Sequence, residues 1–314
     1  MIMKKAIVTG ATSFLGAALV RELLEAEYEC YAIVREENRG KTILPFQHPS
    51  LHIICESLFN IDSLRSLLPQ CDLFYHFAWG GIGAQGRANA DIQAMNIEMT
   101  KQCIRLACKI GVKRFLFAGS QAEYGPSNTI IRETNECHPV TEYGKAKLKV
   151  LQLGTALAKS LPIEYVHLRI FSVYGPGDHP WTVISKCIDA FSAGRAVPLT
   201  SCEQMWNFLH VRDAAVMLRR IGEAALNLKH PIFNIASHET RKLRDFIQII
   251  WQQSQCHGIP QYGALETTLE KPYGIQPNIE RVLHAIQWHP QVLFEDGVAE
   301  LITLEKAKQC RARK

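Results

Sequence analysis

Tyr143 and Lys147 stand four residues apart, and on a helix that spacing sets both side chains on one face, with Cβ atoms roughly 5–6 Å apart. A free phenol ionises near about pH 10, too high for efficient proton exchange at neutrality. A neighbouring ammonium favours the phenolate and lowers that value, which makes the tyrosine a usable general acid/base. Tyr-x-x-x-Lys is common in helices by chance, so its position along the chain decides its meaning. It follows the apolar run Phe115-Leu116-Phe117-Ala118-Gly119-Ser120, whose last residue carries a hydroxyl. At the C-terminal end of a strand, Ser120 could share a substrate oxygen with Tyr143; read by itself it is a helix-cap or turn serine.

A second constellation lies near the start, Ala6-Ile7-Val8-Thr9-Gly10-Ala11-Thr12-Ser13-Phe14-Leu15-Gly16. Gly10 follows an apolar strand at once and Gly16 falls inside the next helix. Small residues at 10, 11 and 13 let the turn approach a pyrophosphate, and the helix N-terminus offers free N–H groups and a positive dipole end. The usual G-x-x-G-x-x-G has Ser13 at its middle position, small enough for close approach and able to donate its hydroxyl. Without a ligand the same residues make a plain strand-turn-helix. The second strand ends Ile33-Val34-Arg35, with Arg39 and Lys41 within loop reach. A carboxylate at that tip would hold a ribose 2′-hydroxyl, whereas a guanidinium can clamp a 2′-phosphate, so Arg35 favours NADP, with NAD as the other possibility. Glu36 and Glu37 blur that signal, and a solvated Arg35 is the bland reading. Taken in chain order, the pieces describe a dinucleotide site with a tyrosine acid/base beside it, hence hydride chemistry.

The elements that must position these residues alternate. Strands are expected over 4–9, Cys30–Val34, Leu51–Ile54, Leu73–Phe77, Arg114–Ala118 and Ile163–Phe171, with helices over 15–27, 61–68, about 89–110 and about 140–160. That rhythm implies βαβ crossovers and a parallel sheet covered on both faces: a Rossmann-type, doubly wound α/β fold. After Gly175-Pro176-Gly177 the pattern turns irregular. A dinucleotide-binding unit over 1–175, with a return segment near 205–235, and a smaller, mixed α/β, mostly substrate-binding unit over 176–314 are expected.

Composition excludes several classes. With 21% charged and 47% hydrophobic residues, the 314-residue chain reads as an ordinary globular protein. Five of its positive residues, Lys306, Lys308, Arg311, Arg313 and Lys314, sit at the C-terminus, where a solvated helix end explains them better than a nucleic-acid arm. No apolar run has membrane-spanning length, and with Met-Ile-Met-Lys-Lys running straight into a strand no secretory-type leader is expected. Ten scattered cysteines without a C-x-x-C pair read as reduced packing residues, so neither disulfides nor a metal site is expected, and the cytoplasm is the expected compartment.

With these pieces in register, the chain resembles the extended short-chain dehydrogenase/reductases, the NAD(P)-dependent epimerase/dehydratase family acting on nucleotide sugars. Further matching landmarks are His76-Phe77-Ala78, Asn96, Ser120-Gln121-Ala122-Glu123-Tyr124-Gly125, Leu168-Arg169-Ile170-Phe171-Ser172-Val173-Tyr174-Gly175-Pro176-Gly177, Phe208-Leu209-His210-Val211-Arg212-Asp213 and Ile286-Gln287-Trp288-His289-Pro290. The resemblance implies a catalytic triad of Ser120, Tyr143 and Lys147. It implies cofactor contacts from Gly10, Thr12, Ser13, Phe14, Leu15, Gly16, Arg35, Ser57, Leu58, Phe77, Ala78, Trp79, Asn96, Tyr143, Lys147 and Phe171, with residues near 76–79 and 169–172 lining the nicotinamide. Gln121, Ser172 and Trp206 fall to the substrate. Trp79 is a pocket wall or core; His179 is a second proton donor or a loop residue without a role.

Departures narrow the activity. Where dehydratases of the family resemble Thr-Asp-Glu, this chain has Ser120-Gln121-Ala122, and neither an amide nor a methyl group exchanges protons. Glu123, one residue out of register, should point to the other face of an extended segment. Trp206 stands where epimerases commonly carry a phosphate-binding Arg, and Ser172 where they often have Asn. The reading is therefore an NADPH-dependent reductase of a nucleotide-linked 4-keto-6-deoxyhexose, Tyr143 protonating the ketone oxygen. The alternatives are an NAD-dependent nucleotide-sugar 4-epimerase and a non-catalytic NADP-binding protein. Family members often dimerise through the helices at 89–110 and 140–160, and Ile97, Ile104 and Ile110 fit either that interface or burial on the sheet.

Overall fold

The computed structural model describes residues 3–266 and 273–312, so Met1, Ile2, Arg313 and Lys314 lie outside it. Seven strands form its centre: β1 (Lys5–Thr9), β2 (Glu29–Val34), β3 (Leu51–Cys55), β4 (Leu73–His76), β5 (Arg114–Ser120), β6 (Glu164–Ile170) and β7 (Ile232–Ile235). Their order is β7-β6-β5-β4-β1-β2-β3, and every neighbouring pair is parallel. The last strand comes from the second half of the chain and pairs with β6, Phe233 opposite Leu168.

Eleven helices accompany it among the described residues: α1 (Phe14–Glu25), α2 (Glu37–Ile43), α3 (Ile61–Leu67), α4 (Ala84–Ala88), α5 (Ala90–Lys109), α6 (Glu142–Ser160), α7 (Val183–Ser192), α8 (Val211–Glu223), α9 (Leu243–Gln253), α10 (Glu280–Ile286) and α11 (Phe294–Ala312). Alternation along the strands divides the core between two faces. Ala6, Val8 and Leu116 pack with α1, α8 and α10, whereas Ile7, Phe115 and Phe117 pack with α3, α5 and α6. A third cluster joins α7, α9 and α11 around Phe208, Phe246 and Phe294. The sheet is thus Rossmann-type and doubly wound, as its rhythm implied. The short α2 and α4 escaped the sequence reading; each contains a glycine and neither is long enough to carry an apolar stripe. None of the described helices is long and apolar enough to cross a membrane.

On α5, Ile104 is fully buried, and Ile97 and Ile110 pack against the same core cluster. The stripe that fitted a dimer interface therefore serves the chain's own sheet; Met95, at 58% exposed, is the large apolar residue that this helix turns outward.

Because β1 leads outward to β2 and β3 while β4 returns on its other side, the chain reverses direction between β1 and β4. Parallel sheets open a crevice there, beyond the strands' C-terminal ends. Two devices shape it. Ser13 caps α1, its hydroxyl accepting from the Gly16 amide at 3.1 Å, which leaves its own proton available. Gly10, at φ +65°, lies so close to the exit of β4 that a Cβ would fall 2.6 Å from Phe77 C and Ala78 N. The β4 exit is pinned in turn by a buried relay. The Ala78 amide donates to Thr9 Oγ1 (3.3 Å), which meets His76 Nδ1 at 2.8 Å; His76 Nε2 meets Thr100 Oγ1 at 3.1 Å, and Thr100 donates to Asn96 O at 2.8 Å. Burial, aided by the nearby Lys147 charge, pushes His76 down to about 3, so the ring is neutral and bridges the two hydroxyls.

Gly10→Ala combines a left-handed backbone with a clash against the main chain, so it should lower stability by about 1–3 kcal/mol. Chemical denaturation checks this, with Ser13→Ala, expected to lose about 1 kcal/mol, as reference. A Gly10→Ala protein as stable as its parent would contradict the close packing of β1 on β4.

Candidate active site

Thr141 starts α6, its hydroxyl accepting from the Gly144 amide at 3.0 Å, which puts Tyr143 in the first turn and Lys147 one turn later. Gly144 has a packing reason: a Cβ there would lie 2.4 Å from Ala122 O. Its absence lets the start of α6 rest on the turn that follows β5, and so brings Tyr143 to Ser120. Ser120 is the final residue of β5 and 7% exposed.

Residues Gln121–Glu123 form a 3-10 turn rather than the extended segment expected of them. Ser120 Oγ accepts from the Ala122 amide (3.2 Å) and the Ser120 amide donates to Glu123 Oε1 (2.8 Å), a reciprocal capping box. Glu123 therefore turns inward beneath the serine. Its carboxylate accepts from His167 Nε2 and from Arg169 Nε, both at 2.9 Å, and His167 Nδ1 meets the Tyr165 hydroxyl at 2.9 Å. All members are buried. Burial alone would raise Glu123, but His167 and Arg169 outweigh it and hold the carboxyl below its ordinary range. Burial lowers His167 against the pull of Glu123, so Arg169 is the counter-ion and His167 a neutral donor. The Ser-x-x-Glu spacing was the signal available in the sequence.

Tyr143 sits among cations and aromatic rings. The Arg87 guanidinium carbon lies 4.2 Å from its ring centroid, and Trp79 meets it edge-on at 6.1 Å and 85°. Lys147 Nζ is 5.5 Å from the same centroid, 3.6 Å from that of Trp79, and donates to Ala118 O at 2.6 Å. The Trp79 indole N–H is fixed by Gln93 Oε1 at 2.9 Å. Burial raises the Tyr143 phenol above its ordinary value, while the Arg87 charge and the Ser120 hydroxyl pull the other way. Burial brings Lys147 down to about 7, with Glu123 opposing that and Arg87 adding to it. Arg87 and Gln93 were missed in the sequence, where no spacing marks them.

The remaining candidates divide. Thr12, Ser13, Phe14, Leu15 and Gly16 form the turn and first turn of α1, a small-residue helix start suited to a pyrophosphate. Arg35 and Arg39 are exposed beyond β2, whereas Lys41 is paired with Glu37 at 2.6 Å. Ser57 and Leu58 follow β3, Ser57 exposed and Leu58 against the core. Phe77 and Ala78 lie against Gly10. Three of the expected cofactor-side residues are engaged by the chain itself. Asn96 commits its amide to the Gly80 backbone (2.8 and 2.9 Å), so it holds the loop after β4. Phe171, 5% exposed, packs in the core, and Arg169, 2% exposed, is paired with Glu123. Gln121 Oε1, beside Ser120, is buried without a hydrogen-bond partner. Ser172 is half-buried. Trp206 packs on Phe208 and stands opposite Arg241, whose guanidinium is held by Glu239 and Glu295. His179 stacks on Trp181 at 4.1 Å. A separate cleft of about 790 Å³ opens between α7 and α11, and no catalytic candidate lines it.

Lys147 has a stability consequence. Unfolded, it titrates near about 10.5; folded, near 7. Between those values the unfolded chain binds the extra proton, so stability gains a contribution as pH rises from 7 towards 10.5. Lys147→Met should unfold at higher urea concentration than the parent at pH 7, and its advantage should shrink by pH 10. An advantage that does not change with pH would contradict the burial of the amine.

The NAD dependent epimerase/dehydratase family model matches residues 6–236. An uncharacterized UDP-glucose epimerase of Bacillus subtilis is 29% identical, covering 95% of this chain and 96% of that protein. The dTDP-4-dehydro-6-deoxyglucose reductase of Escherichia coli is 23% identical over 97% and 98%. The UDP-glucuronic acid 4-epimerase of Bacillus cereus, solved in complex with NAD, superposes with a TM-score of 0.83 at 22% identity, covering 96% of each chain. A family model that matches most of the chain, residues 6–236, makes it a member of the NAD dependent epimerase/dehydratase family.

Proposed function

We propose that this protein is an NAD(P)-dependent nucleotide-sugar 4-epimerase. The observation that carries the chemistry is the Tyr143 phenol set between Arg87 and Trp79, with the Ser120 hydroxyl favouring its ionised form, at the strand ends beside the phosphate turn. The residues fit a dinucleotide: Gly10 admits a tight turn, Ser13 keeps a free hydroxyl proton, and α1 offers its N-terminus. Gly10, Thr12 to Gly16, Arg35, Ser57, Leu58, Phe77 and Ala78 would hold it. When bound, the nicotinamide supplies the two-electron oxidising and reducing capacity.

The chain's own residues supply the rest. Tyr143 takes the proton of the sugar C4 hydroxyl as the ketone forms and returns it when the alcohol is restored. Ser120 holds the same oxygen. Lys147 stays beside the phenol, with donors to spare for the ribose after Ala118 O has taken one. Between the two proton transfers the sugar must turn over, which Gln121, Ser172 and Trp206 must permit while holding its nucleotide. Residues 1–175 with the 205–235 return would bind cofactor, and most of 176–314 the substrate. A homodimer would use outward faces of α5 and α6.

The NADPH-dependent ketosugar reductase, first favoured from Arg35, becomes the second reading. Relatives named as epimerases support reversible chemistry with retained NAD better, although one relative is named as a reductase. Exposed Arg35 and Arg39 remain its specific support, as they suit a 2′-phosphate.

Purified protein separates the readings. Retained nicotinamide and interconversion of C4 epimers without net cofactor consumption support the epimerase. Stoichiometric NADPH oxidation by a nucleotide-linked 4-ketosugar would replace it with the reductase. In either case Tyr143→Phe should lower turnover by about 10²–10⁴-fold. Undiminished turnover in that variant would remove the tyrosine mechanism altogether.

A further inference from the structure

The segment between β4 and α5 is anchored more firmly than its solvent exposure suggests. Gln93, 2% exposed, donates from its amide to Gly86 O at 2.8 Å. Asn96, 4% exposed, grips both backbone groups of Gly80. Two buried amides on α5 thus fix the segment at its entry and within α4. Arg87, next to the anchored Gly86, is consequently held over the Tyr143 ring at 4.2 Å. Lys147 is farther from that ring, at 5.5 Å, and its amine is already shared with Ala118 O and the Trp79 face.

We propose that Arg87 is a positioning residue of the active centre, a loop-borne guanidinium that steadies the Tyr143 ring and supplies the lasting positive charge beside its phenolate. The inference rests on Tyr143 being the acid/base. Four groups bear on that phenol: Arg87 from α4, Ser120 from β5, Glu123 from the following turn, and Lys147 from α6. Glu123 disfavours the phenolate but is tied to Arg169. Lys147, brought to about 7, carries its full charge only below neutrality. An arginine is charged at every working pH and its flat group stacks on aromatic faces. In the resting protein, Arg87 is therefore the cation that remains when Lys147 gives up its proton. A loop residue in this role couples acid/base strength to loop order: whatever displaces 80–89 also weakens the phenolate.

The test compares Arg87→Gln and Arg87→Lys. In cofactor-free protein, the ultraviolet difference titration against Tyr143→Phe isolates ionisation of this one tyrosine. Removing an opposite charge at this range should raise its midpoint by about one pH unit. Arg87→Gln is expected to show that rise, with a matching displacement of the rising limb of the kcat/KM profile, and Arg87→Lys to restore most of it. An unshifted midpoint in Arg87→Gln overturns the inference, and equal shifts in both variants overturn the assignment to charge. Because α4 is exposed, the fold should survive both changes, and Arg87→Lys keeps the comparison open should the glutamine variant not fold. Loss of turnover in Tyr143→Phe with no shift in Arg87→Gln sinks this proposal alone. Full turnover in Tyr143→Phe sinks the tyrosine reading beneath it.

Discussion

An ammonium group cannot be left alone inside a protein, and the partners of Lys147 determine how the centre is built. Burial takes its charge out of water, which costs several kcal/mol unless other groups answer it. The Ala118 carbonyl, the Trp79 face and the field of Glu123 are those groups. Each belongs to a different element: the strand β5, the loop after β4, and the turn beyond β5. One lysine on α6 thus draws three neighbouring segments to a common point, and Tyr143 is carried there because it lies one turn earlier on the same helix.

The lower layer is electrostatic too. Beneath Ser120, Glu123 and Arg169 form a fully enclosed ion pair, to which neutral His167 donates a hydrogen bond. Breaking such a pair by deleting one partner leaves an unanswered charge, a loss of about 3–5 kcal/mol, so Glu123 and Arg169 act as a unit. Its visible consequence is geometric. The carboxylate that balances Arg169 also accepts the Ser120 amide, which fixes the end of β5 in the one orientation that turns the serine hydroxyl towards α6. Neutral His76, clasped by Thr9 and Thr100, does the same for the end of β4. Polar networks satisfied in this way hold strand ends rigid, and reacting groups need that rigidity more than they need strength.

What the sequence disclosed follows from range. Alternating apolar runs gave the sheet, because strand and helix periods are local properties. Gly10, Ser13, Tyr143 and Lys147 stand in short motifs whose neighbours act within a turn or two, and they lie where the motifs implied. Contacts distant in sequence were less legible. Asn96 matched a family landmark, but whether its amide faces a cofactor or Gly80 depends on how the loop after β4 folds back. Phe171 reads as a strand residue in either case; its amide donates to Ile235 O at the end of β7, and it shares a core cluster with Phe233 and Ile235. Glu123 was a different failure, since its Ser-x-x-Glu spacing was readable as a capping box and was instead taken as a continuation of the strand. Arg87 carried no signal at all: its importance comes from Gln93 and Asn96, two amides whose purpose is invisible until α5 is packed.

The most direct test of the central claim is a crystal structure with nicotinamide cofactor and nucleotide sugar bound together. The account expects the sugar C4 oxygen within about 2.6–3.2 Å of the Tyr143 hydroxyl, the Ser120 hydroxyl on the same oxygen, and the Lys147 amine turned to the cofactor ribose. A sugar bound with its C4 oxygen remote from Tyr143, or a cofactor lying away from the turn at Gly10, would contradict it.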